Sequence, residues 1–296
     1  MTHAARAFTP SDFLQVMGIA LIWGVNNVAA MVALDTFPPF MAVTLRFVLV
    51  LGLLIWMLRA PPTGARWPFT AMLGLVGPLH FGIQYIGLHM AHDLAPMVVA
   101  MQLWAPASVV FAALVLKERV SALRQAGVAC AFAGVAAMAF DPVVFAQGWA
   151  LLLVVAAACF YGLGAVLVRR IGPMNLWTMQ AWIALASAPV SAAGSLAFER
   201  DQLSIAVHAS WIAWACVVFG AVMSSILANA MMFRLVQRYE VSRTTPYLLL
   251  TPAISFTLGA LVLGDQITPR IIAGAAITMG GVALVAFAER RFKGLA

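Results

Sequence analysis

Ten stretches of about twenty mostly apolar residues constrain this chain more than any single motif does. They run over 13–33, 38–58, 69–89, 94–115, 122–140, 147–168, 174–197, 209–233, 243–263 and 268–288. About twenty apolar residues are what a helix needs to cross roughly 30 Å of hydrocarbon. Inside lipid only helices and closed barrels satisfy the backbone polar groups, so the expected fold is an all-α membrane bundle of ten transmembrane helices. The chain is 64% hydrophobic and 9% charged, against about 25% charged residues in a soluble domain. A soluble enzyme, a nucleic-acid binder and a disordered chain are therefore excluded. The connections are too short to hold a soluble domain, so any function must lie within the bundle. The first run is too long for a signal-peptide core and no small-residue cleavage pattern follows it, so it reads as a retained span. Cys130, Cys159 and Cys216 lie in apolar runs without CxxC spacing. They read as small packing residues, with no disulfide framework and no metal site.

Orientation follows from the basic residues. Of the seventeen Lys and Arg, Arg200 and Arg270 fall in one set of loops, Arg46 falls within a span, and the rest fall on the opposite side. That side carries Arg59, Arg66, Lys117, Arg119, Arg124, Arg169, Arg170 and Arg234 among others, so it is expected to be cytoplasmic, with both termini there. The net charge of +7 then reports topology and contact with anionic lipid, and no nucleic-acid partner is expected.

The second half repeats the first. Val115 to Phe140 aligns without gaps on Val262 to Phe287, with identical residues at Val115, Leu116, Ala126, Gly127, Gly134, Ala136, Ala139 and Phe140. Pro106 and Pro252 correspond within one residue. Lys117, Glu118, Arg119 and Arg124 become Gly264, Asp265, Gln266 and Ile271 in the second copy. A unit of five spans must face opposite ways in its two copies, and loss of the positive charges agrees with that. The expected organisation is residues 1–144 and residues 145–296 as two inverted five-helix repeats around a central cavity. Inverted repeats are the mark of secondary transporters that work by alternating access.

The sequence resembles the drug/metabolite transporter superfamily, specifically its EamA type with ten helices. The segments that carry the resemblance are Ala20 to Ala30 (ALIWGVNNVAA), Thr44 to Phe47 (TLRF), Ala105 to Val120 (APASVVFAALVLKERV) and Thr251 to Thr268. It covers essentially the whole chain. The resemblance implies an exporter or exchanger of small metabolites, with helices 1–4 and 6–9 around the cavity and helices 5 and 10 at the periphery. Within that group the chain is similar to bacterial exporters of aromatic and other neutral amino acids, which implies residence in the bacterial inner membrane.

Polar groups in hydrocarbon are costly, and they face a cavity or a partner helix. Helix 1 sets Trp23, Asn26 and Asn27 on one face. Two adjacent amides there could bind a substrate or tie helices together. Helix 3 holds Gly77-Pro78, then His80 and Gln84 at i, i+4, beside the kink that Pro78 is expected to cause. Helix 4 carries Gln102, Trp104 and Pro106, with the Trp placed mid-span rather than at an interface. Helix 9 aligns Tyr247, Thr251 and Ser255, with Pro252 among them. Arg46 is read either as a clamp for a substrate carboxylate or as a helix anchor. The candidate binding set is thus Asn26, Asn27, Arg46, His80, Gln84, Trp104, Tyr247 and Thr251, with Pro78, Pro106 and Pro252 as kink or gating positions. The small residues Gly127, Ala131, Gly134, Gly274, Thr278 and Gly281 suggest close packing of helices 5 and 10 within the chain, and a monomer or weak dimer is expected.

All ten carboxylates fall in loops or at span ends, which leaves no mid-membrane acid for a proton relay. No GxSG, GxGD or HExxH motif is present, so the rival reading as an intramembrane enzyme lacks its chemistry. A channel or helical scaffold is the third reading, and the inverted repeat with its paired prolines favours alternating access over it. No nucleotide-binding motif and no cofactor are expected. The expectation is a facilitative carrier that exports down the solute's own gradient, with a neutral His80 as a hydrogen-bond partner.

Overall fold

The computed structural model describes residues 9–62, 64–172, 174–238 and 248–293. All regular structure among them is helical. Among the described residues, nine helices are long and apolar enough to span a membrane: α1 (Pro10–Leu34), α2 (Pro39–Met57), α3 (Arg66–Met90), α4 (Leu94–Leu116), α5 (Ala122–Ala139), α6 (Gly148–Ile171), α7 (Leu176–Phe198), α8 (Trp211–Met232) and, last of them, α10 (Pro269–Ala288). Between α8 and α10 lies a shorter apolar helix, α9 (Leu250–Leu263), which is the described part of the ninth apolar stretch.

Several helices begin where local chemistry tells them to. Thr9 and Asp12 form a capping box ahead of α1, and Ser121, Asn175 and Ser210 cap α5, α7 and α8. Pro10, Pro39 and Pro269 stand at first helical positions, where the missing N–H costs nothing. Neither α2 nor α4 receives a side-chain hydrogen bond from its own N-cap residue, and the same holds for α3 and α6.

Besides α2, which closes on a 3-10 turn at Ile55–Met57, four of the described helices depart from regular α geometry. Pro78 cannot donate to a preceding carbonyl, and Leu75–Leu79 in α3 is π-helical around it. Gly220–Ala228 is the corresponding π-helical stretch in α8. In α4 the helix breaks at Gln102 and Leu103, just ahead of Pro106. In α9 a turn at Leu249 precedes Pro252, and a π-helical turn spans Gly259–Leu263. A π turn accommodates one extra residue, and that residue accounts for the one-position slip between Pro106 and Pro252.

Packing pairs the halves. Helix α1 packs on α8 and α9, and α6 packs on α3 and α4. Helix α2 packs on α7, and α5 on α10. Exchanging the first five helices for the last five leaves this set of partners unchanged. The α5–α10 contact is close enough to need glycine: a Cβ on Gly127 would come within 2.9 Å of the Gly281 carbonyl and the Val285 amide. The small-residue stripes thus meet each other within the chain, as small residues do where helix backbones approach.

The two ends of the bundle differ in charge. At one end lie Asp93, Asp141, Glu199 and Asp265, and at the other Arg59, Lys117, Glu118, Arg169 and Arg170. We call these the acidic and the basic end. The half of α4 near the acidic end, Leu94 to Ala100, is buried at every residue, whereas the basic half buries only Pro106, Ala107, Val109 and Ala112.

Candidate functional site

The break in α4 leaves Trp104 at the start of a new helical segment. Its ring meets Tyr161 of α6 edge-on, with centroids 5.5 Å apart. Tyr161 also lies 4.8 Å from the His80 ring, and His80 lies 4.8 Å from Phe81. His80 Nδ1 sits 2.9 Å from the Ala157 carbonyl, which places the ring proton on Nδ1 and leaves Nε2 as an acceptor. Trp104 keeps 40% of its surface exposed although it stands mid-helix. One turn beyond His80, the Gln84 Nε2 donates to the Met101 sulfur at 3.4 Å, a weak acceptor. Gln84 Oε1 is buried and has no partner among the described residues. A buried amide oxygen without a donor is rare in a folded protein and marks a place where a donor can be received. The cluster thus offers π faces and acceptors and, among the described residues, holds no carboxylate.

A second polar cluster surrounds Arg46, which is 5% exposed. Its Nε and Nη2 donate to Ser225 Oγ at 3.2 and 3.0 Å, and Nη2 also reaches Ser224 Oγ at 3.4 Å. Its Nη1 donates to Tyr85 Oη at 3.0 Å and Asn26 Oδ1 at 3.3 Å. All five N–H groups are thereby engaged by neutral acceptors on α1, α3 and α8. No carboxylate among the described residues lies within ion-pair distance of the guanidinium. Its plane stands over Phe81, 5.1 Å from the ring centroid. Phe81 therefore separates the Arg46 cluster from the His80–Tyr161–Trp104 cluster, touching both. Gly220 makes room here, since a Cβ would come within 3.1 Å of Arg46 Nη1.

A third set joins α1 to α9. Asn27 Nδ2 donates to Ser255 Oγ at 3.0 Å, and that hydroxyl lies 3.1 Å from the carbonyls of both Gly24 and Thr251. Thr251 is buried, and its Oγ1 has no partner among the described residues.

The sequence-derived set is therefore spread over three neighbouring clusters. His80 and Trp104 come together through Tyr161, with Gln84 one turn away. Asn26 and Arg46 join each other, and Asn27 and Thr251 lie at the α1–α9 contact. Tyr247 lies outside the described residues. Pro78 sits inside a π-helical turn, and Pro106 and Pro252 each follow a break. Tyr161, Tyr85, Phe81 and Ser224 escaped the sequence reading. Tyr161 and Tyr85 are single hydroxyls within apolar runs and carry no periodic signal, although two of only four tyrosines standing mid-span is a usable hint.

The family model for the EamA-like transporter family matches this chain twice, over residues 12–140 and 148–287. A curated relative from Salmonella typhimurium, named "Probable amino-acid metabolite efflux pump", is 27% identical over 92% of this chain and 93% of its own. One of the same name from Escherichia coli is 24% identical over 94% and 96%. An "Uncharacterized transporter" from Archaeoglobus fulgidus is 25% identical over 89% and 94%. A crystal structure shares the fold with a TM-score of 0.62 at 20% identity, covering 96% of this chain and 99% of that one. Two copies of the family model along one multi-pass helical chain settle the assignment: the chain belongs to the EamA-like transporter family.

Proposed function

We propose that this protein exports small metabolites, namely aromatic or other neutral amino acids, across the bacterial inner membrane by alternating access, as a facilitative carrier. The family and the efflux pumps it resembles support the class of activity. The single observation that carries the site is the Trp104–Tyr161–His80 cluster with the partnerless Gln84 oxygen beside it. A primary ammonium needs acceptors and is attracted to aromatic faces, and this cluster offers both. The two repeats are read as inverted, and the exchange of helix partners between halves supports a twofold relation. Both termini are read as cytoplasmic from the basic loops. Arg46, with every N–H already engaged, is read as a pin that holds α2 to α1, α3 and α8 rather than as a clamp on the solute.

Counterflow in proteoliposomes tests this reading. Purified protein should exchange a preloaded neutral amino acid with saturable, stereoselective kinetics. Trp104→Ala and His80→Ala should lower exchange by about tenfold or more while leaving expression and monodispersity intact. Unchanged exchange in both variants would move the site elsewhere. Turnover of a solute without flux would favour an enzyme.

A further inference from the structure

Asp93 occupies the N-cap position of α4, where an aspartate ordinarily accepts from the amides of its own first turn. Here it does not cap its own helix. Its Oδ1 accepts from the Gln266 amide at 2.7 Å, across the repeat boundary, and its Oδ2 accepts from Gln147 Nε2 at 3.1 Å. The first turn of α4 is capped instead by Asp265, whose two oxygens accept from the Leu94 and Ala95 amides at 3.1 and 2.9 Å. Each carboxylate thus serves the main chain of the opposite half. Gln147 locks the arrangement, its Oε1 accepting from the His92 and Asp93 amides at 2.9 and 3.2 Å. Asp93, Asp265 and Gln147 are all buried. The same logic recurs at α2, where Glu199 of the other half accepts from the Phe40 and Met41 amides at 2.7 and 2.9 Å. Two helices without a cap of their own, α2 and α4, thus each receive one from the other half, at the same end.

The repeat shows what the other end is doing. Asp265 corresponds to Glu118 in the gapless alignment of the two halves. Glu118 caps no helix. It pairs with Arg169 at 2.5 Å, and its side chain is 33% exposed. Equivalent positions thus stand in two environments, engaged across the halves at the acidic end and turned to a neighbouring helix at the basic end.

The geometry points to the exchanged caps of Asp93 and Asp265 as the gate that holds the acidic end of the carrier closed in this structure. Opening requires the start of α4 and the segment after α9 to part at this end, which withdraws Asp265 from Leu94 and Ala95. Asp93 is then free to turn back and cap its own helix, so α4 has a cap in either state. Such an element has two arrangements of comparable energy, as a conformational switch requires. The inference rests on the carrier reading for its purpose, yet its test needs no substrate and so fails or succeeds apart from that reading.

The test places one reporter cysteine at Ala95, which is fully buried beneath the latch, in a background with Cys130, Cys159 and Cys216 replaced by Ala. Labelling by a membrane-impermeant maleimide is followed in intact vesicles in which the acidic end faces the reagent. Asp265→Ala leaves two buried amides without acceptors in the closed state only, and the labelling rate should rise about tenfold. Gln147→Ala frees Asp93 without touching the α4 cap and should raise labelling by a smaller factor. Asp93→Ala weakens both arrangements and should raise it less than Asp265→Ala does. Wild-type labelling rates in both Asp265→Ala and Gln147→Ala overturn the gate. A rise in Asp93→Ala equal to that in Asp265→Ala overturns the exchange of caps. Glu118→Gln, at the other end, should leave labelling at the wild-type rate, and a rise there would equally overturn the assignment of the latch to the acidic end.

Discussion

Lys117 and Gly264, at matching places in the two repeats, end their helices in the same left-handed backbone conformation: φ 55°, ψ 33° for the lysine and φ 76°, ψ 27° for the glycine. Glycine takes that conformation freely, whereas a residue with a Cβ is strained there by about 1 kcal/mol. Under the proposed orientation the lysine stands in a cytoplasmic loop that also carries Arg119, whereas the glycine stands where the second copy has lost the charges of Lys117 and Arg119. The proposed orientation accounts for one copy keeping a strained residue at a position where the other has a relaxed one.

Lys117→Gly should therefore raise the unfolding midpoint of the detergent-solubilised protein, with a gain of up to about 1 kcal/mol at this exposed site. A lowered midpoint would show that the lysine makes a contact worth more than its strain.

Arg46 holds three neighbouring helices to α2 through neutral acceptors. Arg46→Ala removes the charge, leaves a cavity and orphans two serines, an asparagine and a tyrosine, at a cost of about 3 kcal/mol. Reading Arg46 as a pin predicts that folded Arg46→Lys protein still prefers amino acids over the matching decarboxylated amines in counterflow. Loss of that preference would restore the role of a carboxylate clamp.

Gln84 offers a buried oxygen with no donor. Gln84→Leu removes the orphan and keeps the volume, so stability should hold or rise slightly. Exchange should weaken through a raised KM, since an acceptor for the solute is lost. Unchanged KM would show that the oxygen never meets the solute.

The carrier should not be driven by protons. In the sequence all ten carboxylates fall between the apolar stretches or at their ends, and a tightly coupled carrier needs a group that changes charge while facing each side in turn. In proteoliposomes, net flux should stop when solute concentrations equalise, even across an imposed pH gradient. Uphill accumulation that collapses with a protonophore would make His80 the coupling group.

Acid should favour closure of the acidic end. Burial holds the Asp265 carboxyl above its ordinary range; its amide bonds to Leu94 and Ala95 oppose this, and the nearby Asp93 adds to it. The closed state therefore binds the proton more tightly than a hydrated carboxyl in an opened end does. Lowering the pH through that raised value shifts the balance toward the closed state, and raising it releases the effect. Labelling of the Ala95→Cys reporter, taken relative to a cysteine exposed on the same side so that the loss of thiolate at low pH cancels, should slow as the pH on that side falls, and Asp265→Asn should abolish that relative dependence. A faster rate at low pH would reverse the sign.

The sequence alone determined nine of the ten expected spans, the charge difference between the two ends and the register of the repeat, and it singled out the polar residues proposed for the site, because lipid enforces these locally. Each crossing needs about twenty apolar residues, and each polar exception is expensive enough to stand out. Even the slip between Pro106 and Pro252 was visible, although its cause, a π turn in α9, was not. What the tertiary structure decided is which of those residues meet. Helices apolar all round have no face that announces its neighbour, so nothing in the chain said that His80 and Trp104 would be joined through Tyr161, or that Ser224 and Ser225 would satisfy Arg46. The caps show the same limit. Asp93 has the position and chemistry of an ordinary N-cap, and only the approach of the two halves turns it to Gln266 while Asp265 takes its place, because a carboxylate accepts from whichever buried amide lies within reach.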